Sequence, residues 1–342
     1  MYTSCHHPPR RTQLLPSSQN VISSSAISSI RWLPGSENLF LASHMDGTLI
    51  VYDKERDDAA FIPELNNTTT PNGTKPYNLF NFDLSNSASE LAPLHINKSV
   101  NSKNQKANPV ASWQISNHRI TAFAFSPDSR HLAVVSEDGS LRIINYLKEQ
   151  LTDLYPSYYG AFSCVCFSPD GKYALTGGQD DLVSIWSLAE RLIVARCPGH
   201  HSWVTAVAFD PWRCDNRNYR FGSVGEDRRL LLWDFNVGML RRPRAASIRN
   251  RASISTRTES YATNRLRSTS SLTTEVRDED ELVEHPVESR TVTAELPPVM
   301  SKVIDEHPLS WVGFEEECVI TACVEGHVRV WRRPQDGVGA EQ

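Results

Sequence analysis

Three residue types that hydrolases use together, histidine, serine and aspartate, stand in one stretch of this chain as His200, Ser223 and Asp227. Such a set could form a nucleophilic triad, in which the imidazole takes the hydroxyl proton and the carboxylate orients the imidazole. The surrounding pattern argues against that chemistry. A triad is needed once, whereas here an acidic residue followed six positions later by a bulky one recurs: Asp46 and Tyr52, Asp138 and Ile144, Asp180 and Trp186, Asp227 and Trp233, Glu325 and Trp331. Four positions before the acid, Thr176, Ser223 and Thr321 supply a hydroxyl in three of these units. Polar groups that recur beside an aromatic ring are expected to satisfy one another inside a sheet. Cys164 and Cys166 lie on one face of an apolar run and raise the question of a metal, but nothing nearby supplies ligands at zinc spacing. Both read as small buried hydrophobes. With no phosphate loop, paired catalytic carboxylates or His-Glu-x-x-His motif, the expectation is a protein that is not an enzyme and that uses neither metal nor cofactor.

The elements that place these residues are repeated. The stretches 123–145 and 165–187 superpose without a gap at an offset of 42 residues, and a third copy runs over 207–212 and 221–234 with a longer turn between. Two weaker copies occupy 30–53 and 311–331. Each has period-two apolar alternation, bounded by Ser-Pro-Asp and Asp-Gly turns, which specifies short antiparallel strands. A period near 42 with Gly-His and Trp-Asp signatures is that of a four-stranded propeller blade, and here the chain resembles the WD-repeat family. The fold class expected is all-β, a WD-repeat β-propeller with five recognisable blades. Strands are expected near 26–52, 110–156, 158–197, 200–240 and 302–331. Because WD-repeat propellers usually close with seven blades, the ring is expected to be shortened at its N-terminus and to expose a sheet edge.

Composition adds the remainder. With 39% hydrophobic and 22% charged residues, the chain can bury a core, yet its 20 prolines and long polar tracts point to sizeable parts outside it. Residues 1–25 read as a disordered segment, and the propeller over 26–342 is expected to be interrupted by disordered insertions at about 56–106 and 243–298. The second insertion begins basic and Ser-rich and turns acidic; Ser247, with Arg244 just before it, is a candidate phosphosite. A net charge of −5 offers no global field for nucleic acid or an anionic membrane. Seven cysteines without framework spacing fit reduced thiols, so a cytoplasmic or nuclear location is expected.

In WD repeats, His, Ser or Thr, Asp and Trp form a hydrogen-bonded tetrad within the blade. The resemblance implies that role most fully for His200, Ser223, Asp227 and Trp233, and in part for Thr176, Asp180 and Trp186 and for Thr321, Glu325 and Trp331. His118 and His307 fall two positions late and are left unassigned. Over 28–55, 117–153, 158–186, 199–212 and 225–235 the chain further resembles the WD-repeat activating subunits of ubiquitin-specific proteases, the fungal catabolite-repression protein CreC among them. That resemblance implies a non-catalytic scaffold that binds, stabilises and activates a protease of the CreB type in carbon catabolite repression, with no nucleic acid, membrane or small-molecule substrate. A substrate-receptor propeller of a ubiquitin ligase is the alternative. The expected contact is one rim, where Tyr159 and Trp203, with Tyr158, occupy loops leading into consecutive blades. Arg119, Asp181, Arg228 and Arg229 are the expected flanking groups.

Overall fold

The computed structural model describes residues 22–23, 25–58, 107–236, 238, 282–289 and 292–333, together with the backbone of 95–98. Ser247 and residues 1–21 lie outside the described residues. Within these bounds the protein is all-β, a propeller fold of five blade sheets, distributed over two compact units that meet in sequence at Asn117 and His118.

The first unit holds blade 1. Its strands β1 (Ile27–Trp32), β2 (Leu39–His44) and β3 (Thr48–Asp53) form an antiparallel meander; β4 (His95–Lys98) and β5 (Ala111–Gln114) complete it in the order β1-β2-β3-β5-β4. Leu41, Leu49 and Trp113 are buried between strands, and Phe40 stacks on Tyr52 at 5.3 Å. Asn108 closes the neck of the insertion: its amide oxygen accepts the Asp53 N–H at 2.8 Å, and its Nδ2 donates to the Asp53 and Arg56 carbonyls.

The second unit holds blades 2 to 5. Blade 2 is β6 (Ile120–Phe125), β7 (His131–Ser136), β8 (Ser140–Asn145) and β9 (Gln150–Pro156). Blade 3 is β10 (Phe162–Phe167), β11 (Tyr173–Gly178), β12 (Leu182–Ser187) and β13 (Leu192–Pro198). Blade 4 begins with β14 (Val204–Phe209), β15 (Asn218–Gly225) and β16 (Arg229–Asn236). The chain then returns through β17 (Val283–Glu284) and β18 (Ala294–Glu295) to β19 (Met300–Val303), which pairs with β16 as the outer strand of blade 4. Blade 5 is β20 (Leu309–Phe314), β21 (Cys318–Cys323) and β22 (Val328–Arg332).

Two of the expected blade limits are thereby corrected. Residues 111–114 close blade 1 instead of opening blade 2, and the outer strand of blade 4 comes from 300–303, beyond the limit of 240. The sequence repeat and the blade are offset by one strand, so both insertions fall inside a blade, between its third and its outer strand. Blade 5 has three described strands, not four.

The expected disorder is also corrected where the insertions are described. The backbone of 95–98 pairs with β5, and 282–289 with 292–299 forms an ordered strap. The physical reason is an open sheet edge: β17 adds in parallel to β9, and β18 adds in parallel to β13, covering backbone groups that would otherwise be unpaired. Buried charges fix the strap. Asp153 accepts from Arg191 at 2.8 Å and pairs with His285 Nε2 at 2.8 Å, while the His285 ring stacks on Tyr155 at 4.1 Å. Burial alone would raise the Asp153 carboxyl, but the Arg191 and His285 bonds outweigh it and hold it low. Arg196, on β13, donates to the Glu288 carbonyl at 2.7 Å and to Thr293 Oγ1 at 3.0 Å. These contacts leave a small, partly open pocket of about 40 Å³ walled by Tyr155, Trp186, Ile193, Arg196 and Pro286.

The blades of the second unit are joined by a repeated device. The first strand of every blade carries a bulge beside its second strand, at Ser28, Thr121, Ser163, Thr205 and Ser310. A bulge leaves its extra residue out of the ladder, and here that residue is always a hydroxyl. Thr121 Oγ1 donates across to the Phe162 carbonyl at 2.7 Å and Thr205 Oγ1 to the Leu309 carbonyl at 2.6 Å; Ser163 Oγ bonds the Val204 carbonyl in the same way. Each also lies within bonding distance of a carbonyl on its own blade, at Val135, Gly177 or Val224, so one proton is shared between two acceptors. Apolar clusters fill the spaces between, with Trp233, Phe221 and Phe235 at the centre of the one joining blades 3 and 4.

Candidate functional site

Blade 4 forms the complete tetrad. Trp233, buried on β16, donates its Nε1–H to Ser223 Oγ on β15 at 2.9 Å, and the same oxygen lies 2.7 Å from His200 Nε2. His200 Nδ1 faces Asp227 at 3.0 Å. One neutral imidazole satisfies the network: Nδ1–H donates to the carboxylate and Nε2 accepts the Ser223 proton. Asp227 also accepts the backbone N–H groups of His201 at 2.9 Å and Arg229 at 3.1 Å. Burial would raise its carboxyl, but the His200 bond and these amides hold it below the usual range. The serine, histidine and aspartate are connected in the order of a nucleophilic triad. Ser223, however, has 0% exposure and its oxygen is already occupied by the Trp233 N–H, so no substrate reaches it. The network clamps β15, β16 and the loop before β14 together.

The other blades keep parts of this clamp. Trp186 Nε1 donates to Thr176 Oγ1 at 2.9 Å in blade 3, and Trp331 Nε1 to Thr321 Oγ1 at 3.0 Å in blade 5. The expected carboxylates of these two blades do not join, which corrects the tetrad assigned to Asp180 and Glu325. In blade 3 the residue four positions before the first strand, where blade 4 has His200, is Tyr158. Asp180 caps its own turn by accepting the Leu182 N–H at 3.2 Å, and its buried Oδ2 has no partner among the described residues. Burial pushes this carboxyl up to about 6, the Leu182 N–H opposing the shift. In blade 5 Glu325 points to solvent, and the place of the histidine is held by Asp305, which accepts from Arg329 Nε at 2.7 Å. Arg329 has a counterpart in blade 2, at the same position relative to the bulky residue: buried Arg142 donates to Ser136 Oγ at 2.8 Å and to Asp138 Oδ2 at 2.6 Å. Neither arginine was expected from the sequence. Their shared place two residues before Ile144 and Trp331 was the available signal.

At the rim, the turns between second and third strands carry a left-handed residue at one repeated position. It is glycine in blades 1, 2 and 5, as Gly47, Gly139 and Gly326, but Asp181 with φ 61° in blade 3 and Arg228 with φ 64° in blade 4. A residue with a side chain costs roughly 1 kcal/mol there. Each of these two blades also carries an exposed aromatic in the loop before its first strand. Tyr159 is 75% exposed in the loop before β10, and Trp203 is 47% exposed in the loop before β14. Both loops are tied down: Ser157 N donates to the Gly139 carbonyl at 2.6 Å, Ala161 N to Gln179 Oε1 at 3.1 Å, and Glu226 N to the Trp203 carbonyl at 2.9 Å. Tyr158, 43% exposed, lies under the Arg196 guanidinium at 4.7 Å and is thereby linked to the strap. Arg119 pairs with Glu137 at 3.5 Å with both groups exposed, and Arg229 Nη1 reaches Ser301 Oγ at 3.1 Å, which draws it to the outer strand. The expected flanking residues thus divide. Asp181 and Arg228 stand at the rim turns of blades 3 and 4, whereas Arg229 is turned along its own sheet.

Three segments of the chain match the WD domain, G-beta repeat family, at residues 108–145, 151–187 and 192–234. Each match opens on the outer strand of one blade and ends in the third strand of the next, which is the one-strand offset seen in the fold. The chain is also similar to the UBP9-binding protein bun62 of Schizosaccharomyces pombe, 38% identical over 323 residues. That match takes in 92% of this chain and 56% of the relative, so the chain spans little more than half the length of the protein it matches.

Proposed function

We propose that this chain is a protein-binding scaffold, without a catalytic role of its own, that binds, stabilises and activates a ubiquitin-specific protease in carbon catabolite repression. One observation carries the reading: 38% identity, over 92% of this chain, to a protein whose name states that it binds UBP9. The rim of blades 3 and 4 supports a location for the contact. Side chains of Asp181 and Arg228 occupy a turn position where glycine costs least, and Tyr159 and Trp203 expose aromatic area beside them. Aromatic and arginine side chains dominate the energetics of protein interfaces, and strained turn residues are concentrated at functional sites. Tyr159 and Trp203 are the proposed anchors, with Tyr158, Arg119, Asp181 and Arg228 around them.

Replacing Trp203 by Ala tests this. Its ring is exposed, so the variant should melt like wild type, while its affinity for UBP9 falls by roughly 2 kcal/mol or more. Unchanged affinity and unchanged activation by Trp203→Ala would place the contact elsewhere, and a wild-type chain that captures no ubiquitin-specific protease would remove the reading altogether.

A further inference from the structure

We propose that the rim end of blade 5 is a zinc site, with Asp305, Cys323 and His327 as ligands and His307 as the fourth. A carboxylate oxygen of Asp305, the sulfur of Cys323 and a ring nitrogen of His327 all lie within 4.8 Å of one another. Ligands on a tetrahedral zinc are separated by about 3.3–3.7 Å, given bonds of about 2.0–2.3 Å. Reaching that spacing takes a shift of roughly 1 Å in the ligand atoms. The ring of His307 has its centroid 5.8 Å from that of His327, and two imidazoles on one tetrahedral zinc sit with centroids about 5 Å apart.

The backbone presents these groups together. Cys323 and His327 flank the turn between β21 and β22, which is closed by the Cys323 N–H to the His327 carbonyl at 3.0 Å and the Gly326 N–H to the Cys323 carbonyl at 3.1 Å. Gly326, at φ 84°, makes the turn tight enough to bring the two ends side by side. Asp305 and His307 come from the loop between β19 and β20. The His307 N–H donates to Asp305 Oδ1 at 3.0 Å and Arg329 Nε to Oδ2 at 2.7 Å, the kind of outer hydrogen bonding that orients a ligating carboxylate while leaving lone pairs for the metal.

The donor set chooses the ion. Thiolate and imidazole disfavour magnesium and calcium, and a mixed sulfur, nitrogen and oxygen set of four suits zinc. As the sulfur–zinc bond forms, the Cys323 proton leaves to solvent, and thiolate plus carboxylate then balance the charge of the ion. The Asp305 side chain is 1% exposed and Cys323 is 4% exposed, so the bond would be shielded, while exposed His327 marks the way in. The location has a reason in the fold: with Asp305 in the histidine's place and Glu325 turned outward, blade 5 cannot build the blade 4 tetrad. A zinc ion would join the same loop to the same turn by coordination.

The test uses the purified full chain, freed of metal by a chelator and titrated with cobalt(II) and then zinc(II). One equivalent of cobalt should give a thiolate charge-transfer band in the near ultraviolet with the visible bands of four-coordinate cobalt. Zinc should displace it and raise the melting temperature. Cys323→Ser should abolish the charge-transfer band, and His327→Ala, a change in an exposed turn that leaves the metal-free fold intact, should weaken binding at least tenfold. A wild-type chain with no such band, a band that persists in Cys323→Ser, or unchanged affinity in His327→Ala would overturn the proposal.

Discussion

Blades 3 and 4 share four antiparallel strands, to which blade 3 adds β18, a bulged first strand, and a tryptophan that donates to a hydroxyl on the second strand, Trp186 to Thr176 and Trp233 to Ser223. They part at one position, Tyr158 against His200. With histidine present, the rim carboxylate is tied into the sheet and its ionised form is favoured; with tyrosine present, the carboxylate keeps the Leu182 backbone donor and a buried oxygen that has no partner among the described residues. The tryptophan–hydroxyl bond and the rim carboxylate are therefore separable parts, and the imidazole couples them. The tyrosine at that position in blade 3 packs under the Arg196 guanidinium while staying partly exposed, next to Tyr159 in the loop proposed as a contact.

The largest effect that sharpens this contrast is expected for Asp227→Ala. It leaves the His200 Nδ1–H and the His201 and Arg229 amides without their acceptor, at a cost of about 2–3 kcal/mol. Asp180→Ala removes a carboxylate that satisfies one amide, so it should cost far less. Chemical denaturation of both variants reads the difference; equal losses would mean that His200 does not couple the blade 4 carboxylate to the sheet.

A smaller contrast separates the hydroxyls. Ser223→Ala strands both the Trp233 N–H and the His200 ring nitrogen, for about 2 kcal/mol, whereas Thr176→Val strands the Trp186 N–H alone, for about 1 kcal/mol. If Thr176→Val were the more damaging, the tetrad would not be the stronger clamp.

The parts legible in the sequence were those that repeat at fixed spacing along one chain segment. The strand periodicity, the blade 4 tetrad and the tryptophan–hydroxyl bonds at Thr176 and Thr321 depend on adjacent strands whose register the turns determine. Glu325 was misassigned because spacing alone cannot tell that Asp305, from a different loop, occupies the histidine's place beside Arg329. The strap was missed for a similar reason: Val283, His285 and Ala294 sit in a polar context, and what orders them is the open edges of β9 and β13, which belong to blades far away in sequence. The bulge hydroxyls were within reach. Thr121, Ser163 and Thr205 recur at the repeat offset of 42 residues, but a hydroxyl in a strand carries no signal until its bulge is seen.

The most delicate test of the comparison is its dependence on pH, because the two rim carboxylates should respond with opposite sign. Asp227 has its folded pKa lowered, so its contribution is present above the ordinary carboxylate range and is lost as pH falls through the lowered value. Asp180 is pushed up to about 6 from 3.8. Below the ordinary value both states of Asp180 are protonated and no penalty exists. Between about 4 and 6 the unfolded chain gives up its proton while the folded chain keeps it, so stability falls with rising pH and levels off above about 6. With the partial exposure of this side chain allowed for, the loss is on the order of 1 kcal/mol. Asp180→Asn keeps an oxygen for the Leu182 N–H and removes the ionisation, so it should match wild type near pH 4 and exceed it by that amount at pH 7. In an Asp227→Asn chain the same comparison should run the other way, with the deficit against wild type largest at neutral pH. A wild-type stability profile that Asp180→Asn leaves unchanged from pH 4 to 7 would mean that the buried Asp180 oxygen finds a donor in solution, and the contrast between the two blades would reduce to His200 alone.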